Sequence, residues 1–159
     1  MTIQKILIGI DDSQHAEYAA AYGFDLARKF GAAVGLVNIV EPAVATQVAS
    51  PDPIMGLTNQ GIGVDEMELM DIQKSQSENV VERTIKKFAS DMPVTHFTEY
   101  GSTVDGIISC SKEFGADLIV IGTHHRTGLD RLLMGSVAEH VVRHSTVPVL
   151  VVPMKSESQ

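Results

Sequence analysis

The stretch GTHHRTGLDRLLMGS, Gly122 to Ser136, follows the apolar run ADLIVI and precedes the helix-like VAEHVVRHS. Strand, glycine, loop, Gly-Ser and helix in that order form a frame that can hold an anion on backbone amides. Gly122 lacks a Cβ and can let a ligand approach the chain. Gly135 and Ser136 open a helix whose free N–H groups and positive dipole end favour negative charge. The Ser136 hydroxyl can cap that helix or donate to a phosphate oxygen, while Arg126 adds charge and Thr127 a hydroxyl. The same two glycines also serve an ordinary turn and helix start, so alone they do not decide.

A second suspicious segment is GIDDS, Gly9 to Ser13, at the end of another apolar run. Asp11 can accept from a ribose or an adenine edge, or face a metal carried by a polyphosphate. Asp12 or Ser13 reads as a cap for the helix that follows. Use of the two carboxylates together is disfavoured, because neighbouring residues at a strand end diverge. His124 and His125 are adjacent, and His140 and His144 stand at i and i+4. That spacing can chelate a metal, but Glu139 precedes His140, so the HExxH order is missing and no third ligand stands at a telling distance. There is no GxxxxGK[ST] loop and no GxSxG elbow, and GIGVDE lacks the third glycine of GxGxxG. Cys110 is the only cysteine, which excludes an internal disulfide and reads as a small buried thiol.

The elements that must position these residues are legible in the hydrophobic pattern. KILIGI, AVGLVNIV, DLIVIG and VPVLVV are short, rich in Val, Ile and Leu, and barely alternate, as strands covered on both faces do. VTHFTEYG alternates and suits a sheet edge. Ala16, Ala19, Ala20, Gly23, Ala27 and Phe30 recur at helical spacing behind Ser13, a cap. Val81, Ile85 and Phe88 close a second helix. Val104, Ile107, Ile108 and Ser111 line a third, opened by Ser102 with Asp105 three residues on. Val137, Ala138, Val141 and Val142 line a fourth, with Ser136 and Glu139 in the same capping pattern.

Alternating strands and helices predict an α/β fold with one doubly wound parallel sheet. A single domain over 1–154 accounts for the 159 residues, with a frayed tail at 155–159. The interruption at 41–63, with three prolines and three glycines, reads as either a functional lid or a disordered insertion. In such sheets ligands sit beyond the carboxyl ends of the strands, where the winding reverses. With 12 basic against 20 acidic residues and a net charge of −8, nucleic acid and anionic membranes are excluded as partners. No apolar run reaches the ~20 residues of a membrane span, and the strand pattern at the start leaves no room for a signal peptide. The expected location is cytoplasmic.

KILIGIDDSQHAEYAAAYGFDLA, LVNIVEP, GADLIVIGTHHRTGLDRLLMGSVAEHVV and VPVLVVP resemble, in order and spacing, the universal stress protein family. The resemblance covers nearly the whole chain and leaves only 41–63 unconstrained. It implies a five-stranded parallel sheet in the order 3-2-1-4-5, with strands one and four side by side. One branch of that family binds ATP through G-x-x-G, nine residues, then Gly-Ser or Gly-Thr. On that pattern Gly122 fills the first position, Arg126 to Met134 the intervening nine, and Gly135 and Ser136 the last two. Asp11 falls where the family's first-strand aspartate meets the nucleotide, Ile10 and Ile39 beside the adenine, and Val137 in the phosphate-binding helix start.

The departure is His125, which stands where the second glycine belongs. Histidine adopts positive φ less readily than glycine, yet its N–H can donate to a phosphate. The resemblance therefore implies ATP or AMP, with Mg, bound by a stress-response regulator that has at most slow hydrolysis. It also implies a homodimer through the last strand, Val147 to Val152, an apolar edge without a protecting charge. The alternatives are a nucleotide-free dimeric interaction module of the same fold and a small phosphohydrolase using Asp11, Asp12 and the histidines.

Overall fold

The computed structural model describes residues 2–42, 66–123 and 135–154. Nine elements follow one another: β1 (Lys5–Gly9), α1 (Gln14–Phe30), β2 (Ala33–Val40), α2 (Glu66–Phe88), β3 (Val94–Tyr100), α3 (Thr103–Phe114), β4 (Leu118–Gly122), α4 (Ser136–His144) and β5 (Val149–Val152). The five strands pair in parallel in the order β3-β2-β1-β4-β5. The expected doubly wound sheet is what the chain forms. The region 41–63 lies outside the described residues except for Glu41 and Pro42, and 155–159 lies outside them entirely.

The sheet divides the core into two layers. On one face Ile6, Ile8, Val34, Leu36 and Val120 pack under α1 and α2, with Phe24 fully buried among them. On the other, Leu7, Val37, Ile119 and Ile121 pack under α3 and α4. Successive β1 residues therefore face opposite layers, and both layers are apolar, which is why the strand shows no alternation. Phe30, read as part of the α1 core stripe, is instead 52% exposed in the last residue of the helix. Phe24 fills that layer and stacks on Phe88, with ring centroids 5.9 Å apart.

Two of the expected caps form. Ser13 Oγ accepts from the Ala16 amide at 3.1 Å, and Ser102 Oγ from the Asp105 amide at 3.4 Å. The third does not. Ser136 is already helical, Gly135 takes the N-cap position without a side-chain bond, and Glu139 pairs with Arg143 at 2.8 Å. Cys110 is buried as expected, and burial, followed by the charges of Glu99 and Glu113, pushes its thiol up to about 11. At neutral pH it is an inert packing group.

Outside the core, α1 is tied to the end of α2. Arg28 grips Asp91 with two bonds, Nε to Oδ2 at 2.9 Å and Nη2 to Oδ1 at 2.8 Å, and Nη2 also donates to the Phe88 carbonyl. The guanidinium holds the Asp91 carboxyl below its usual range. A depressed acid contributes stability above its unfolded pKa of ~3.9 and loses it as pH falls through the lower folded value. Asp91→Asn is therefore expected to lower the Tm slightly at neutral pH, the pair being exposed. Thermal scans across pH should show the gap between variant and wild type closing in acid; a gap that persists there would contradict the pairing.

Candidate functional site

The winding reverses at β1, which has β2 on one side and β4 on the other. The chain leaves β1 at Gly9, but the Ile10 amide still donates to the Val37 carbonyl at 2.9 Å, which holds the exit against β2. Asp11 Oδ1 then accepts from the Ser13 amide at 2.7 Å, an Asx turn that delivers Ser13 to its capping position. Sequence GIDDS thus makes a rigid corner at the carboxyl edge of the sheet.

Asp11 and Ile39 line one cleft of about 400 Å³ at this edge, together with Asp12, Asn38, Glu41 and the near face of α2. Ile10 is 6% exposed and borders a much smaller cavity of about 10 Å³ beneath, room for roughly one water. Asp11 borders both. Asp12 also lines the cleft, although neighbouring carboxylates at a strand end were expected to diverge. The strand has ended by then, so the alternation of a pleated chain no longer applies.

Gly122, Gly135, Ser136 and Val137 stand across the switch point, on β4 and α4, and do not line that cleft. Gly122 was read as a place where a ligand approaches the backbone. The space where its Cβ would stand is filled from within the chain: a Cβ there would lie 2.5 Å from the His15 carbonyl oxygen and 2.8 Å from its carbon. The first turn of α1 occupies that space. Gly135 is buried, Ser136 exposed, and Val137 half-buried against the α3 and α4 layer. The first amides of α4 thus have no side-chain cap among the described residues. His125 and Arg126, with His124 and Thr127, lie outside the described residues.

His140 and His144 are exposed, and each Nδ1 meets a backbone oxygen four residues back, Ser136 O at 2.6 Å and His140 O at 2.7 Å. Their rings lie 6.3 Å apart and within 3° of parallel. One ion bound at ~2.1 Å from each ring needs the two nitrogens within ~4.2 Å, and parallel rings one turn apart do not converge. Among the described residues no three His, Cys, Asp or Glu side chains gather as a metal site.

The pattern reading missed a buried polar network at the back of the cleft. Asn38, 6% exposed, donates from Nδ2 to the Ile10 carbonyl at 2.8 Å. Its Oδ1 accepts from Ser77 Oγ at 2.6 Å, and Ser77 lies 3.4 Å from Thr98 Oγ1. Four elements meet there: the β1 exit, β2, α2 and β3. The signal was a lone asparagine inside the apolar run AVGLVNIV, a residue that must find partners when buried.

A family-wide sequence profile described as the universal stress protein family matches residues 2–153. The chain belongs to this family. It is 33% identical over 151 residues to universal stress protein MJ0531 of Methanocaldococcus jannaschii, across 94% of this chain and 81% of that one. It is also similar to the solved structure of MJ0577, a hypothetical protein whose biochemical function was assigned from its structure. That likeness has a TM-score of 0.76 at 25% identity and covers 99% of this chain and all of the other. The universal stress protein of Archaeoglobus fulgidus solved in complex with dAMP shares the fold, with a TM-score of 0.61 at 19% identity over 95% of this chain and 98% of that one.

The crowding at Gly122 yields a direct expectation for this universal stress protein. Gly122→Ala drives a methyl group into backbone that cannot yield, and should cost about 1–3 kcal/mol. Chemical denaturation would show it as a lower midpoint at unchanged slope. An unaltered midpoint would mean that α1 does not press on β4.

Proposed function

We propose that this universal stress protein binds an adenine nucleotide, ATP or AMP with Mg²⁺, and acts as a nucleotide-dependent stress regulator without substantial turnover. The observation that carries the reading is the cleft at the carboxyl edge, where Asp11 and Ile39 meet beside the point of strand reversal. Asp11 accepts from a ribose hydroxyl, and Ile10 and Ile39 border the base. The amides of Gly135, Ser136 and Val137 at the start of α4, with His125 and Arg126 from the preceding segment, take the phosphates. Helix polarity favours the anion there. Mg²⁺ would be held by the phosphates, since the described residues offer no cluster of protein ligands. That a family member was solved with dAMP supports the ligand class.

Turnover requires a base aimed at a water. Asp11 has one carboxylate oxygen committed to the Ser13 amide, and the histidines of α4 have each Nδ1 on a backbone oxygen. The α4 histidines do not line the cleft that Asp11 borders, and binding rather than hydrolysis is the activity we assign. The second reading, a nucleotide-free interaction module, is favoured by Gly122, whose missing Cβ already serves α1.

Protein purified without added nucleotide, denatured and analysed by mass spectrometry distinguishes the two. ATP or AMP is expected from wild type and from His125→Gly alike, with Asp11→Ala weakening affinity about tenfold or more. Nucleotide recovered only from His125→Gly would favour the interaction module.

We also infer a homodimer through the segment Val147 to Val152. β5 is a sheet edge, and Val149, Leu150 and Val151 are all half-buried there, apolar and without a charge. The opposite edge, β3, carries Thr95, His96 and Glu99 exposed, which discourages pairing. Light scattering at micromolar concentration should give twice the chain mass. A monomer would overturn this.

A further inference from the structure

Helix α2 presents a row of side chains to the cleft that none of the site residues above includes: Gln73, Gln76, Asn79 and Arg83. They recur every three or four residues on one face and span about 15 Å of helix at 1.5 Å per residue. The acidic neighbours Glu78 and Glu82 do not line the cleft. Gln73 is committed, donating to the Glu41 carbonyl at 3.3 Å. The side chains of Gln76, Asn79 and Arg83 make no hydrogen bond or ion pair to another described residue.

The rotation of α2 that turns this row inward is fixed from below. Ser77, 3% exposed, bonds to Asn38, and Thr84 Oγ1 turns back onto the Val80 carbonyl at 2.8 Å. Val80 and Val81 are seated in the core. A rotation of α2 would break the Ser77–Asn38 bond and leave buried polar groups without their partner. The row is therefore held in register with the Ile10–Asp11 corner through the same asparagine.

We propose that α2 is the base-reading wall of the cleft, with Gln76 and Asn79 discriminating a 6-aminopurine from a 6-oxopurine. The proposal rests on the nucleotide reading above and assigns the specificity of that site. Phosphates at α4 and ribose at Asp11 direct the base away from β4 and toward β2 and α2. A carboxamide offers one donor and one acceptor, which matches the N7 acceptor and N6 amino donor on one edge of adenine. The guanine edge presents two acceptors there, so the amide oxygen would face a carbonyl. Arg83 lies toward the Asp11 and Asp12 end of the row, where those two carboxylates also border the cleft.

The test is calorimetric titration of the full chain with Mg-ATP and with Mg-GTP. Wild type should prefer ATP. Gln76→Leu/Asn79→Leu should weaken ATP about tenfold and leave GTP nearly unchanged, so the preference collapses. Both residues are exposed on a helix, and the control Glu78→Gln, off the cleft, should retain the wild-type ratio. An ATP:GTP ratio unmoved by the double substitution, or absent from wild type, overturns the base-reading wall while leaving nucleotide binding intact. Wild type that binds neither nucleotide overturns the wall and the proposed function together.

Discussion

Everything at the carboxyl edge depends on how closely the start of α1 can lie against the end of β4. Gly122 permits contact with the His15 carbonyl that any side chain would prevent. That contact brings the β1 exit, the Asp11 turn and the β4 exit to one place. A comparable squeeze occurs at Gly9, where a Cβ would stand 2.9 Å from Ile121 Cγ2. The two central strands thus end in glycines packed against each other's surroundings, and the switch point is narrow because of them. The first turn of α1 can be that close only because its amides are already satisfied by Ser13 and its carbonyls by the helix.

The second constraint is polar and buried. A valine or isoleucine at position 38 would suit the apolar strand, and the fold would still close. Asparagine instead ties the Ile10 carbonyl to Ser77, and no buried side-chain polar atom among the described residues is left without a partner. A fully satisfied network of this kind fixes one arrangement among several that apolar packing would accept. What it fixes here is the position of α2 relative to the corner that carries Asp11.

The sheet order and its elements were legible because each strand is buried on both sides, which writes an unbroken apolar run into the sequence. Matched blocks in register supplied the strand order that periodicity cannot. Errors fell where tertiary contacts decide. Phe30 keeps helical spacing with Ala27, but it is the last residue of α1, beyond the reach of the sheet, whereas Phe24 lies squarely over it. Ser136 carries a capping signature that Gly135 pre-empts. At Gly122 the sequence shows that space is needed and not that the first turn of α1 fills it. The network around Asn38 joins residues 28 and 39 positions apart, and only a folded chain can bring them together.

On the proposed function, an anionic ligand is held by a chain of net charge −8. The long-range field opposes the approach of a nucleotide, so affinity has to come from short-range groups, and added salt should screen the repulsion rather than weaken binding. Backbone amides suit that task because their partial charges are fixed and cost no counter-ion. Among the described residues no side chain caps the helix opened by Gly135, whereas Ser13 and Ser102 each take up one amide of α1 and α3. The acidic corner at Asp11 and Asp12 then favours the neutral, hydroxylated part of the ligand over its phosphates. In the proposed complex the capless start of α4 and the acidic corner at Asp11 and Asp12 together set the phosphates toward α4 and leave the base for the far side of the cleft.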